Sequence, residues 1–192
     1  MASDHVLAVI SGWSLRVIPR APFRAVRGAS PRELLVEHAS LSARITADGA
    51  GGFRSEPDGD ALGQVVDVER GPVAGAWMVE THAFRAALPD GFALHSAPPG
   101  SPSPFDLVGP ASSLIYVQSP SRMPPIEAMC GPGQRVSGRG DTWIELEYGH
   151  DGVRWWQRHE VVGRLVFTAQ ATVESREAAS DALKRFVASL VA

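Results

Sequence analysis

The sequence predicts an α+β domain: a mainly antiparallel sheet sandwiched by helices, with an N-terminal strand–helix extension. Three observations carry this expectation. Short alternating apolar runs recur along the chain, parted by proline- and glycine-rich turns. Two stretches, one near the start and one at the end, instead repeat apolar residues on a helical period behind a serine. Asp151-Gly152 lies between two alternating runs, where a two-residue hairpin turn needs positive φ at both central positions.

Val6 to Ile10 and Ser14 to Ile18 read as short strands around Gly12. Ser30-Pro31-Arg32-Glu33 has the form of a capping box with proline at the first helical position. Leu34, Leu35, Leu41 and Ile45 then fit a one-sided helix ending before Asp48-Gly49, with His38 on its stripe. Residues 48–63, rich in Gly, Asp and Ser, read as a flexible loop. Strands are predicted at Gln64 to Arg70, Ala76 to Leu88 and Phe92 to His95, the last entered through the turn Leu88-Pro89-Asp90-Gly91. The four prolines of residues 97–104 exclude a central strand there. Ser113 to Gln118 reads as a buried strand, and residues 119–132 as a second proline-rich loop. After the hairpin, Arg164 to Thr172 is a strand, and Ser175 precedes a helix with Ala179, Ala182, Leu183, Phe186, Val187 and Leu190 on one side. The strand-then-helix order at Ser14–Ile45 echoes that at Arg164–Leu190 and would place helices on opposite faces of one sheet.

The hairpin over residues 143–160 carries most of the functional information. Its loop is either the two residues Asp151-Gly152 or the four from Gly149 to Gly152, which shifts the pairs by one step. With either loop, alternation puts Ile144, Leu146, Tyr148, Val153, Trp155 and Val161 on one face, read as core. It puts Trp143, Glu145, Glu147, Arg154, Trp156, Arg158 and Glu160 on the other, read as an exposed face of interleaved charges and tryptophans. Two readings of that second face stand side by side. It is an ordinary solvated surface whose charges satisfy one another, or it is a partner-binding surface, since Trp and Arg are enriched at hot spots.

Composition bounds the rest. A net charge of −3 gives no basic footprint for nucleic acid and no polybasic patch for lipid. Arginine outnumbers lysine seventeen to one, the skew of a GC-rich bacterial genome. Cys130 is the single cysteine, so no intramolecular disulfide or thiolate metal cluster is possible. No stretch approaches a membrane span, and the N-terminus lacks the basic and apolar regions of a signal peptide, which leads to a cytoplasmic expectation. No phosphate loop, nucleophile elbow or zinc helix motif occurs. His150, His159 and Glu160 are unsuited to a shared metal, because adjacent strand residues point to opposite faces. Glu145 and Glu147 have a spacing that acid–base chemistry can use, but Arg154 and Arg158 neutralise them. No cofactor, metal or catalytic residue is predicted.

From about Phe84 onward the chain resembles the PsbP-like superfamily, which includes the photosystem extrinsic subunit, a Ran-binding import factor, mycobacterial lipoproteins and bacterial effector chaperones. The resemblance rests on Phe84 with Leu88-Pro89-Asp90-Gly91-Phe92, on Phe105-Asp106-Leu107 before Ile115-Tyr116-Val117, on the Asp151-Gly152 hairpin, and on Leu165 to Gln170 leading into a helix that closes on Ser189-Leu190. It implies a core over residues 81–192, leaving 1–80 as an N-terminal extension of a single domain, and a non-catalytic role. The resulting expectation is a bacterial adaptor, chaperone or accessory subunit binding a protein, or a second copy of itself, through the 143–160 face. The alternative is an enzyme or small-molecule binder with a pocket between the sheet and the loops 97–104 and 119–132.

Overall fold

Alternation, with a period of two, governs far more of the chain than helical periodicity does. The computed structural model describes residues 9–191. Sixteen strands follow one another: β1 Val9–Gly12, β2 Leu15–Pro19, β3 Phe23–Arg27, β4 Glu33–His38, β5 Leu41–Ala47, β6 Phe53–Glu56, β7 Val66–Arg70, β8 Met78–Glu80, β9 Arg85–Ala87, β10 Ala93–Ser96, β11 Phe105–Val108, β12 Leu114–Gln118, β13 Arg135–Arg139, β14 Trp143–His150, β15 Val153–Val162 and β16 Leu165–Thr172. The one-turn helix α1 spans Gly59–Gly63, and α2 spans Arg176–Ala188.

Every pairing is antiparallel. The strands form a five-stranded sheet, β7-β2-β1-β8-β9, and an eleven-stranded sheet, β13-β14-β15-β16-β12-β11-β10-β3-β4-β5-β6. With 48% strand and 15% helix, this is a mainly-β architecture and not an α+β sandwich between helices. One continuous core joins the sheets: Ile10, Leu15, Val17 and Val79 from the smaller, Trp77 just before β8, and Leu34, Val36, Ile45, Leu94, Leu107 and Phe167 from the larger. The part of the predicted strand Val6 to Ile10 that precedes Val9 lies outside the described residues.

The predicted first helix is the hairpin β4–β5. Ser30 does not cap a helix. Its Oγ accepts from the Arg32 N–H at 3.3 Å, its carbonyl accepts from the Glu33 N–H at 2.9 Å, and the chain turns into a strand. Leu34 and Val36 on β4, and Ala43, Ile45 and Ala47 on β5, are all buried at a spacing of two. Val36, Ile45 and Thr46 are β-branched, which favours this outcome. The echo between Ser14–Ile45 and Arg164–Leu190 therefore fails, because only the second unit contains a helix. The predicted loop 48–63 contains β6 and α1, and the strand predicted at 76–88 is broken by a turn in which the Thr81 N–H donates to the Phe84 carbonyl at 2.9 Å.

Helix α2 forms as expected, although the Ser175 side chain makes no cap hydrogen bond. Ala179, Ala182, Leu183 and Phe186 pack on the larger sheet. Phe84, Phe105, Phe167 and Phe186 meet edge-to-face with ring centroids 5.4–6.3 Å apart, geometry that aromatic quadrupoles favour. Residues 9–80 supply strands to both sheets, and β3 pairs with β10 through Ala25 opposite Leu94.

Candidate functional site

The hairpin β14–β15 has the two-residue turn: His150 faces Val153, Tyr148 faces Trp155 and Leu146 faces Gln157. The structure therefore brings Trp143, Glu145, Glu147, Arg154, Trp156 and Arg158 onto one face, joined by Glu160. Most of that face is not open to solvent, whereas Arg154 at its turn end is 66% exposed. Trp156 is 1% exposed and Arg158 6%: α2 packs on β15 and β16 on this side, and Trp143, Glu145 and Glu160 enclose the Arg158 guanidinium. Ala169 and Ala171 on β16, both fully buried, leave the room that lets the helix settle there, and Trp156 fills the space beside it.

Burying charge needs partners. Arg158 supplies them by donating through Nη1 to Glu145 Oε1 at 2.8 Å and through Nε to Glu160 Oε2 at 3.1 Å. Its guanidinium also lies 4.1 Å from the Trp143 ring centroid, a cation–π contact. Glu147 takes Arg135 at 2.9 Å and Arg154 at 3.1 Å on Oε2, and Arg176 at 3.4 Å on Oε1. Arg135 first, then Arg154, hold the Glu147 carboxyl below its ordinary value.

The opposite face divides. Ile144 and Leu146 are buried, Tyr148, Trp155 and Val161 are half-buried, and Val153 is 40% exposed. The segment between β12 and β13 covers this side. Its single 3₁₀ turn, Ile126–Met129, packs on β14. Gln134 donates to Gln157 at 3.1 Å, and Gln157 donates to Gln170 at 3.0 Å. The Cys130 thiol in this segment faces the Gln134 carbonyl at 3.6 Å.

Five strands bring a row of polar groups together on this same face, and sequence reasoning did not find it. In register, His159 opposes Thr168, Thr168 opposes Tyr116, Tyr116 opposes Asp106 and Asp106 opposes His95. His159 Nδ1 and Thr168 Oγ1 are 2.9 Å apart, and Thr168 is fully buried. Burial pushes His159 and His95 down, with Arg24 adding to the effect on His95. Burial pushes Asp106 up, opposed by His95, and pushes Tyr116 up, opposed by the Thr168 hydroxyl. All four shifts favour the neutral form, so the row behaves as a polar seam. The signal lies in the register of strands that are far apart in sequence.

An apolar concavity sits at the other end of the sheet. A cavity of about 410 Å³ opens between the proline strap 97–104, the turn 81–84 and the ends of β12 and β16. Phe84, Val117, Leu165 and the four strap prolines line it. Most of its hydroxyls are already spent on backbone. Thr81 Oγ1 accepts from Ala83 and Phe84 N–H at 3.2 Å, Ser96 Oγ from Phe23 N–H at 3.1 Å, and Ser103 Oγ from Val117 N–H at 3.3 Å. Among the described residues lining it, His82 is the one ionisable side chain. Of the loop 119–132, only Ser119 reaches this cavity.

His150 and Asp151, 3.3 Å apart, are exposed at the hairpin tip, away from His159. Among the described residues no group of three His, Cys, Asp or Glu side chains is placed to hold a metal ion. Among them, too, no helix is long and apolar enough to cross a membrane. No protein-family model matches the chain, and comparison with curated proteins and with solved structures likewise gives no match.

Proposed function

We propose that this is a non-catalytic binding protein whose ligand is a small, uncharged, largely apolar molecule held under the proline strap 97–104. The observation that carries this reading is the cavity itself. Its volume of about 410 Å³ falls within the range of small-molecule sites, and its lining is apolar with few free polar groups. His82, Gln118 and Ser119, whose side chains make no hydrogen bond to other described residues, are the groups left to orient a ligand. The lack of a charged lining side chain disfavours an ionic ligand, since a desolvated charge there has no counter-charge. The Trp156–Arg158 part of the hairpin face is not proposed as a docking surface, because both side chains are buried.

The test uses N-phenyl-1-naphthylamine, an uncharged apolar fluorophore. Ala83 is exposed on the cavity wall, so Ala83→Trp fills the cavity without disturbing the core. Saturable probe binding by the native chain, weakened about tenfold or more in Ala83→Trp at unchanged melting temperature, is the expected result. Equal binding by the two proteins, or none by either, would refute the reading.

A further inference from the structure

We propose that Arg135, Arg154 and Arg176 form a recognition site for a doubly charged oxyanion of the phosphate type. The proposal is independent of the cavity, which lies at the opposite end of the sheet.

Three separate elements deliver the arginines: the edge strand β13, the start of β15 and the first residue of α2. All three guanidiniums converge on one carboxylate. Glu147 Oε2 accepts from Arg135 Nη2 at 2.9 Å and Arg154 Nη2 at 3.1 Å, and Oε1 accepts from Arg176 Nη1 at 3.4 Å. The Glu147 side chain is 10% exposed, whereas those of Arg135, Arg154 and Arg176 are 74%, 66% and 49% exposed. Glu147 is thus the floor, and the arginines form a ring above it with most of their donors turned to solvent.

The charges do not balance. Three cations share one anion, and two of them bind the same oxygen, which holds like charges within a few ångströms of each other. Neighbouring acids do not make up the difference. Glu145 and Glu160 are taken by Arg158, and Glu127 by Arg139. Glu174 and Glu177 flank Arg176 in sequence, and neither forms an ion pair with the three arginines among the described residues. A dianion would cancel the residual charge of the cluster. Guanidinium forks match tetrahedral oxyanions through paired N–H donors, and phosphate accepts several at once.

The anion can come as free phosphate or as a phosphoester on an organic group. Titration calorimetry at low ionic strength with inorganic phosphate, phenyl phosphate and acetate tests the site and separates these sources. The native chain is expected to bind phosphate in preference to acetate. R135Q/R154Q should bind it about tenfold more weakly or worse, with its melting temperature within a few degrees of the native value, because both side chains are exposed. R24Q/R27Q removes the same charge elsewhere and should bind like the native chain. Tighter binding of phenyl phosphate than of phosphate identifies a phosphoester, and the reverse identifies the free anion. No phosphate binding by the native chain, equal affinity for acetate, or equal losses in the two double variants would overturn the proposal.

Discussion

The two faces of the β14–β15 hairpin have opposite chemistry, and each lies under the cover its chemistry would not suggest. The charged face, with Glu145, Glu147, Arg158 and Glu160, is covered by a packed helix and holds the fully buried Trp156. The apolar face, with Ile144 and Leu146, is covered by a proline-rich segment fastened through the Gln134–Gln157–Gln170 hydrogen bonds. Strand alternation states which residues share a face. What covers that face is decided by elements outside the hairpin, here the helix that follows β16 and a crossing segment before the hairpin. Charge inside a covered face is tolerated when each charge finds a partner, as Arg158 does with two carboxylates and an indole ring.

The contrast breaks most visibly at Trp156. If α2 is seated on that face, Trp156→Ala costs about 3–5 kcal/mol in urea unfolding, while Trp155→Ala, half-buried on the other face, costs under about 2 kcal/mol. Equal losses would mean that the two faces are covered alike. Next in size is Arg158→Ala, which strands Glu145 and Glu160 and should cost about 3 kcal/mol. Arg154→Ala removes an exposed partner of Glu147 and should cost less than about 1 kcal/mol.

The smallest effect is on the polar seam. Burial raises the Asp106 carboxyl, so the fold favours its neutral form. Its stability contribution is complete below the ordinary aspartate value of 3.8 and is lost as pH rises through the raised value. Asp106→Asn should therefore raise stability at pH 7 by about a few tenths of a kcal/mol, after screening at this half-exposed site, and the gain should vanish below pH 3.8. Thermal unfolding at both pH values checks the sign; a destabilised variant at pH 7 would contradict it.

How far the sequence discloses this fold is clearest in residues 33–47 against residues 176–188. Both follow a serine, and both carry leucines that can be fitted to a helical stripe. In α2 the stripe is unambiguous, since Ala179, Ala182, Leu183 and Phe186 are buried at spacings of three and four. In β4–β5 the adjacent pair Leu34 and Leu35 imitates a helical stripe, yet only Leu34 is fully buried and the burial then runs 34, 36, 43, 45, 47. The β-branched residues there were the better guide. Strands β3, β11 and β13 went unread for physical reasons. The first two are short and follow proline-rich turns, and β13 is an edge strand with a glycine and mostly exposed side chains, so it carries no alternation to detect. The hairpin and its two faces were legible from Asp151-Gly152 and strand alternation, whereas the register, open between a two-residue and a four-residue loop, is given only by the structure. The arginine ring about Glu147 was legible only in part. Glu147 and Arg154 share a strand pair, whereas Arg135 and Arg176 arrive from elements whose placement depends on the whole sheet.

The pairing of β3 with β10 has a consequence for how the chain is made. During synthesis the strands β3 to β6 leave the ribosome long before Ala93–Ser96, so the open side of Phe23–Arg27 has no neighbour until the second half of the sheet is translated. Folding must wait for that distant strand, which places this topology among the slow, non-local ones and leaves a sticky edge bare in the interval. A chain shortened to end before β10 keeps that edge permanently, and it should aggregate more readily than the full chain.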